Sequence, residues 1–172
     1  MQSINLLILL LGMVFQHKAP EKYPEWLSPE AAENILLTEN KPVIINIYTN
    51  WCGWCKLMDK KTWRSPELIS YVNEKFAAVK FNAEGNALVK WSNREFILQK
   101  GKRTHDFALY ISGGRLSYPT LIIIPAAGIE PQIIPGYLTP GEIEPVLKYF
   151  GEGYWKKEDY ASFLKRFKNS WK

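Results

Sequence analysis

The chain contains two cysteines, Cys52 and Cys55, and they lie three positions apart in 172 residues. They follow an apolar run, Val43–Tyr48, and precede a helix-like stretch that begins at Lys56. A strand that delivers a Cys-x-x-Cys pair to the first turn of a helix favours a thiolate there, because unpaired N–H groups and the helix dipole stabilise negative charge. With the second sulfur one turn away, the pair can open and close as a disulfide. Redox chemistry is the first hypothesis.

Other roles for the cysteine pair have less support. A disulfide that closes so short a loop removes little entropy from the unfolded chain, so it is not expected to stabilise the fold. Tetrahedral zinc needs two further ligands, and the chain offers only His17 and His105. No nucleophile accompanies His105 in the sequence, so we expect it to be structural. We therefore expect no metal and no cofactor beyond the dithiol itself.

The sequence around the cysteines predicts the elements that must position them. Ser-Pro-Glu occurs at 28–30 and again at 65–67, and in each case it reads as an N-cap, a first-turn proline and a first-turn acid. Helices are therefore predicted from there to about Asn40 and Phe76. With strands at 43–48 and 77–82 the order becomes α-β-α-β, which implies parallel strands joined by helical crossovers.

The rest of the chain predicts shorter elements. In chain order these are a hairpin over 89–98 with a turn at Ser92-Asn93, a helix over 104–111, a buried strand over 121–124, an edge strand over 131–137, a helix over 139–150, a hinge at Gly151-Glu152-Gly153, and a last helix over 159–167 with an aromatic core face.

An apolar run at Ile4–Phe15 marks the N-terminus. It is too short to span a bilayer as a helix, which needs about 20 residues, and its length suits a secretory signal peptide. No basic residue precedes it and no Ala-x-Ala-like site ends it, so a hydrophobic anchor or a buried element is the alternative. We expect a signal peptide or anchor at 1–20, one globular domain at 21–150 and a helical extension at 151–172.

Composition and charge exclude other classes of protein. The chain is 47% hydrophobic and 23% charged, as expected for one globular domain. Its net charge of +5 is modest and spread along the chain, which falls short of a nucleic-acid-binding surface. Basic residues near the C-terminus are interrupted by Glu158 and Asp159, so we interpret them as a solvated face.

Two motifs together resemble the thioredoxin family over roughly 29–150. They are Trp-Cys-x-x-Cys-Lys at 51–56 and Tyr-Pro-Thr at 118–120, which leads into an apolar strand and an antiparallel hairpin. The stretch 52–66 is most similar to the C-terminal domain of the thiol:disulfide interchange protein, and 117–120 to exported thioredoxin-like proteins of Gram-negative bacteria. The resemblance implies an α/β, three-layer α/β/α sandwich with a mixed sheet of four or five strands, an inserted hairpin and a C-terminal helical extension.

The resemblance also implies a role for each site residue. Cys52 is expected to be the exposed nucleophilic thiolate, and Cys55 the more buried resolving thiol. Pro119 matches the cis-proline of the family, which would hold the Tyr118 backbone where an extended substrate can pair with it. An apolar, substrate-binding rim around the nucleophile is expected from three aromatic side chains, Trp51, Trp54 and Tyr118.

One position departs from the family pattern. Thioredoxins usually place a buried acid six residues before the first cysteine, and here that residue is Asn46, which cannot accept a proton. Lys80 stands where the family keeps the lysine beside that acid, so it must find another partner or point to water. Asp59, one turn after Cys55, is the remaining candidate for a proton relay; the alternative is an ordinary exposed helix acid.

The resemblance implies a thiol:disulfide oxidoreductase that reduces or exchanges disulfides in extracytoplasmic proteins and is re-reduced by an electron donor such as a membrane protein. It would be periplasmic or otherwise exported. The Gly53-Trp54 pair leaves the direction of electron flow open, although the lack of a histidine there favours a reductant or relay. Two other interpretations remain: a non-catalytic binding module that holds a partner through the hairpin and C-terminal helix, and a redox-regulated structural subunit.

Overall fold

The structure is a computed structural model that describes residues 21–171. The signal peptide or anchor that the sequence predicts at 1–20 lies outside this range. Within the described range, no helix is both long and apolar enough to cross a membrane.

Helices and strands alternate through the first half of the chain, as the sequence predicts. The strands are β1 Trp26–Leu27, β2 Val43–Tyr48, β3 Ala77–Asn82, β4 Val89–Trp91, β5 Arg94–Phe96, β6 Thr120–Ile124 and β7 Gln132–Pro135. The helices are α1 Pro29–Glu39, α2 Gly53–Lys61, α3 Pro66–Lys75, α4 Asp106–Ile111, α5 Pro140–Gly151 and α6 Tyr160–Arg166, with a 3₁₀ turn at Tyr154–Lys156 between the last two.

Five strands form one mixed sheet in the order β1-β3-β2-β6-β7. The first three are parallel, and β6 and β7 run antiparallel to their neighbours. Strand β2 lies at the centre, so the cysteine pair that follows it is delivered from the best-supported strand of the sheet. Strands β4 and β5 form a separate hairpin, whose turn residues Ser92 and Asn93 both have positive φ.

The sheet is covered on both faces, which confirms the three-layer α/β/α prediction. Helices α1 and α4 and the β4–β5 hairpin pack on the face that carries Ile45 and Ile47 of β2. Helices α2, α3 and α5 pack on the opposite face, which carries Ile44. Because β2 is buried on both faces, its side chains are apolar or aromatic at every position except Asn46.

Side-chain caps start the helices where the sequence predicts them. Ser28 and Ser65 accept hydrogen bonds from the backbone N–H groups of Ala31 and Leu68. Thr139 forms a capping box with Glu142 at the start of α5. These caps satisfy N–H groups that have no partner within the helix, so they fix where each helix begins.

The C-terminal region differs from the prediction in two details. Gly151 is the last residue of α5 rather than part of a hinge, and the chain turns at Gly153, whose φ is +72°. The core face predicted for α6 consists of Tyr160, Phe163, Leu164 and Phe167; of these, Phe163 is buried and Leu164 is exposed. A helix of seven residues makes only two turns, so one residue rather than a full stripe reaches the core.

Candidate active site

A disulfide between Cys52 and Cys55 begins helix α2, with Cα atoms 5.3 Å apart. Cys52 is the N-cap, and its sulfur accepts a hydrogen bond of 3.0 Å from the backbone N–H of Cys55. The backbone N–H of Cys52 donates to the carbonyl of Thr49 at 3.3 Å, which ties the motif to the end of β2. The pair therefore lies at a helix N-terminus, where a thiolate is stabilised.

Both cysteines are buried, and this corrects the expectation that Cys52 is exposed. Its exposed fraction is 4%, against 3% for Cys55. The N-cap position explains the difference, because it turns the Cys52 side chain back over the first turn of α2, where the disulfide and the Cys55 N–H hold its sulfur. In the oxidised protein the side chains beside the pair, rather than Cys52 itself, face solvent.

The aromatic side chains beside the pair form two contacts. Trp51 is 66% exposed and packs edge-to-face on Tyr118, with ring centroids 5.8 Å apart. Its indole N–H donates to the Glu84 carboxylate at 2.9 Å. Trp54 is 59% exposed and contacts Tyr137 at 5.7 Å. Two large aromatic side chains next to the cysteines in sequence are thus exposed, although each contacts a second ring.

The loop before β6 lies beside the cysteine motif through the contact of Tyr118 with Trp51. The Tyr118–Pro119 peptide bond is cis. The Pro119 carbonyl accepts a hydrogen bond of 2.8 Å from the backbone N–H of Gly136, which fixes the loop to the end of β7. Burial raises the pKa of the Tyr118 hydroxyl; the polar side chain of Thr104 opposes this and the negative charge of Glu84 adds to it.

An ion pair lies on the α2 side of the sheet, one helical turn beyond Cys55. Lys80 Nζ and Asp59 Oδ2 are 2.7 Å apart, and both side chains are about three-quarters buried. Lys80 is aligned with Asn46 across the β2–β3 pair, so the two side chains share a face of the sheet. Asn46 is 2% exposed, and its Oδ1 has no hydrogen-bond partner within 21–171. The new partner that Lys80 requires is therefore Asp59.

His105 has a structural role, as expected. His105 is fully buried as the N-cap of α4, where its Nδ1 accepts the backbone N–H of Phe107 at 3.0 Å. Its Nε2 lies 2.9 Å from the carbonyl of Ala87, to which it donates. Across 21–171, no three His, Cys, Asp or Glu side chains gather in a way that could hold a metal ion.

Sequence reasoning missed three residues that contact the site: Glu84, Thr104 and Tyr137. For Glu84 the signal was present. It follows β3 closely, as Trp51 follows β2, and neighbouring parallel strands end at the same edge of the sheet. Thr104 and Tyr137 reach the site because long loops bring them back to that edge of the sheet. The spacing of residues in the sequence does not reveal the course of those loops.

Comparison with known proteins agrees with this geometry. Residues 29–151 match the family described as Thioredoxin-like domain. No curated protein sequence is significantly similar to the chain. Among solved structures, a thioredoxin-fold protein from Helicobacter pylori is 23% identical, with 74% of this chain and 80% of that chain covered and a TM-score of 0.53.

Two further solved structures are similar in fold. One is described as DsbH oxidoreductase, at 20% identity, with 90% of this chain and 94% of that chain covered and a TM-score of 0.50. The other is a thioredoxin from Thermus thermophilus, at 12% identity, with 78% and 89% covered and a TM-score of 0.50.

The match to the family covers well over half of the chain, and the region it covers contains the Cys52–Cys55 disulfide, the Tyr118–Pro119 loop and all but the first strand of the sheet. A dithiol–disulfide pair at the start of a helix is the chemical group that performs thiol–disulfide exchange. The chain therefore belongs to the thioredoxin-like family and has the site of a thiol:disulfide oxidoreductase.

Proposed function

We propose that this protein reduces or exchanges disulfides in extracytoplasmic proteins, using Cys52 and Cys55 as its redox pair. The observation that carries the proposal is the disulfide at the first turn of α2, flanked by exposed tryptophans. The pair spans four residues and contributes little chain entropy, so stability does not account for it.

The exchange begins in the reduced protein, where the helix N-terminus favours the Cys52 thiolate. This thiolate attacks one sulfur of a substrate disulfide, forms a mixed disulfide and releases the other sulfur as a thiolate. The Cys55 thiolate then attacks Cys52, which releases the second substrate sulfur. The substrate gains two electrons and two protons, and the Cys52–Cys55 disulfide holds the oxidising equivalent.

Resolution requires Cys55 to lose its proton, and we assign Asp59 as the acceptor. Cys55 and Asp59 are four residues apart on α2, so they share a helix face. Lys80 holds the Asp59 carboxylate at 2.7 Å on the side of the sheet that α2 covers. The buried amide of Asn46 can accept a hydrogen bond but not a proton, which leaves Asp59 as the base for this step.

Four residues form the proposed substrate site. Trp51 and Trp54 present exposed rings beside the disulfide, and Tyr118 supports the first of them. Pro119 has no N–H group, so it adds no donor that competes beside the sulfurs. An extended substrate segment would lie along the Tyr118–Pro119 backbone, with apolar side chains against the tryptophan rings.

The proposed setting is the periplasm or another exported location, reached through residues 1–20 as signal peptide or anchor. An electron donor, such as a membrane protein, would return the pair to the dithiol. The support is the apolar run at the N-terminus, whose length suits a signal peptide. Residues 21–150 would form the redox domain and 151–172 its helical extension.

Trapping of mixed disulfides tests the proposal. In a Cys55→Ser variant, Cys52 can attack but the mixed disulfide cannot resolve, so we expect covalent complexes that dithiothreitol releases. A Cys52→Ser/Cys55→Ser variant, expressed in the same compartment, is the matched control and should form none. If the single variant traps nothing and the reduced wild type does not reduce a protein disulfide, the non-catalytic binding module becomes the better interpretation.

A further inference from the structure

The connection between β3 and α4, residues 83–105, contacts the proposed substrate rim at both of its ends. Near its start, Glu84 accepts the indole N–H of Trp51 at 2.9 Å. Near its end, the Thr104 side chain lies close enough to the hydroxyl of Tyr118 to act on its pKa. Trp51 and Tyr118 are the two rings that pack on each other beside Cys52. This connection therefore supports one wall of the site from two directions.

Hydrogen bonds and buried side chains hold the connection in one conformation. The backbone N–H groups of Lys90 and Ser92 donate to Glu30 and Glu33 of α1 at 2.7 and 2.6 Å. The rings of Trp91 and Phe96 are buried against Phe107 of α4, with centroids 5.6 and 5.7 Å away. The connection therefore presents a fixed surface near the site.

The last part of this surface is a basic turn, defined here as Lys100–Arg103. The Lys102 N–H donates to the Gln99 carbonyl at 3.0 Å, and Gly101 has φ +82°, the conformation that a type II turn requires at its third residue. The Gln99 side chain donates to Asp106 at 2.7 Å, which anchors the turn to the start of α4.

The three cations of the basic turn are free to bind a partner. Lys100, Lys102 and Arg103 are all exposed, and none of their side chains forms a hydrogen bond or ion pair with another residue in 21–171. Stretch 84–104 has five Lys or Arg residues and two Glu residues, a net charge of +3. Its other basic residues are engaged: Lys90 pairs with Glu95, and Arg94 lies over the Tyr110 ring.

We propose that the basic turn binds acidic side chains that flank the reactive disulfide of a substrate polypeptide. Arg103 directly precedes Thr104, so their Cα atoms are about 3.8 Å apart. The nearest cation of the basic turn, Arg103, is thus one residue from Thr104, which lies near the Tyr118 hydroxyl. A substrate disulfide at Cys52 brings its neighbouring residues past this rim, where Asp or Glu would meet unpaired cations. The inference rests on the proposed function and adds a substrate class to it.

The test uses three synthetic peptides, each closed by one intramolecular disulfide. They differ only in the residues beside the cysteines, which are Glu, Gln or Lys. The protein is reduced, freed of reductant and mixed with each peptide, and the rate of a single turnover is followed by acid quenching and mass spectrometry. We expect the Glu peptide to react about tenfold faster than the Lys peptide at low ionic strength, as electrostatic steering predicts.

Two matched variants locate the effect. Lys102→Gln/Arg103→Gln removes two charges from the basic turn, and Lys165→Gln/Lys168→Gln removes two exposed charges from the C-terminal extension. The first should abolish most of the preference for the Glu peptide, and the second should retain it. The preference of the wild type should also shrink between ionic strengths of about 0.01 and 1 M, where the Debye length falls from about 30 to 3 Å.

The outcomes separate this inference from the proposed function. Equal rates for the three peptides, or equal losses in the two double variants, overturn the role of the basic turn while disulfide reduction stands. Failure to reduce even the Gln peptide overturns the proposed function, and the substrate preference falls with it.

Discussion

At the level of individual residues, this site differs from the usual thioredoxin pattern in the groups that could accept the proton of Cys55. A carboxylate on α2, Asp59, pairs with Lys80 of β3, and the buried residue of β2 that is aligned with Lys80 is the neutral Asn46. In the proposed mechanism the base therefore lies on the helix, whereas thioredoxins usually place it in the sheet. Which carboxylate serves Cys55 can be tested without touching either cysteine.

Asp59→Asn should slow resolution of the mixed disulfide and leave the attack by Cys52 unchanged. Loss of a positioned proton acceptor typically costs about 100-fold or more. We expect the steady-state rate of disulfide reduction to fall by roughly that factor and the mixed disulfide to accumulate, as non-reducing mass spectrometry would show. Lys60→Gln, an exposed change on the same helix, should leave the rate unaltered.

A second-site change makes this prediction sharper. Asn46→Asp places a carboxylate across from Lys80, so in the Asp59→Asn background it should restore much of the lost rate. If Asp59→Asn resolves as fast as the wild type, Asp59 is an ordinary helix acid. Slow resolution without rescue by Asn46→Asp would instead mean that the carboxylate must lie on α2 to serve Cys55.

Individual site residues could be predicted from sequence only where a motif or a helical spacing identifies them. The Cys-x-x-Cys pair and Asp59 are of this kind, because a strand–helix junction and a spacing of four residues fix their positions. Burial of Cys52 could not be predicted, since it depends on how the N-cap side chain turns in the oxidised protein. The hydrogen bond from Trp51 to Glu84 joins residues 33 positions apart and follows from strand order.

Among the secondary-structure elements, the residues at which helices begin were the most predictable feature. Ser28 and Ser65 cap helices within one residue of the prediction, because a capping side chain and a first-turn proline act locally. Strand β1 was missed, since its two residues, Trp26 and Leu27, have no periodicity of their own and form a strand only by pairing with Ala78 and Val79.

The capping box of α5 makes stability depend on pH. The Glu142 carboxylate accepts hydrogen bonds of 2.8 Å from the backbone and hydroxyl of Thr139, which hold the pKa of this carboxyl below its usual 4.5. A carboxyl whose pKa is lower in the folded protein stabilises it above the unfolded pKa, and that contribution is lost as pH falls through the folded pKa.

Glu142→Gln should therefore destabilise the protein at pH 7 by about 0.3 kcal/mol, at the low end of the range for exposed charges at helix ends. The difference from wild type should vanish as the pH falls below the lowered pKa of Glu142. Urea denaturation at several pH values measures it. Glu130→Gln removes the same charge from an exposed turn and serves as control; an equal pH dependence there would contradict a specific role for the box.

The end of α5 packs so closely on α3 that it requires a glycine. A Cβ on Gly151 would lie 2.6 Å from the Tyr71 hydroxyl and 3.1 Å from the Phe76 ring. Tyr71 cannot move away freely, because its hydroxyl donates to Glu152 at 3.0 Å and its ring contacts Trp171.

Gly151→Ala should accordingly cost about 1–3 kcal/mol, the usual range for overpacking. Gly141→Ala in the same helix meets its nearest atoms at 3.5 Å, which is an ordinary contact. That variant should be neutral or gain up to about 1 kcal/mol from helix propensity. Thermal or urea unfolding compares the two, and similar midpoints for both variants would show that the α3–α5 contact can relax.

At the scale of the whole molecule, the C-terminal extension is part of the core rather than an appendage. The family match ends at residue 151, yet Trp171 is buried in the cluster between the sheet and α3 and α5. Glu144 of α5 is buried as well, and it accepts hydrogen bonds from the N–H and hydroxyl of Ser170 and from the Trp171 N–H. A buried carboxylate with three donors fixes the end of the described chain to α5.

Trp171→Ala should therefore destabilise the redox domain as a whole. Removing a buried tryptophan costs about 3–5 kcal/mol, and the remaining 8% exposure of Trp171 favours the lower figure. Leu164→Ala, an exposed change in the same extension, should shift the unfolding free energy by less than about 0.5 kcal/mol. Urea denaturation followed by far-UV circular dichroism should show one transition with a lowered midpoint for Trp171→Ala. If the midpoint is unchanged, or if a separate early transition appears, residues 152–171 form an independent unit and the redox domain is complete at the end of α5.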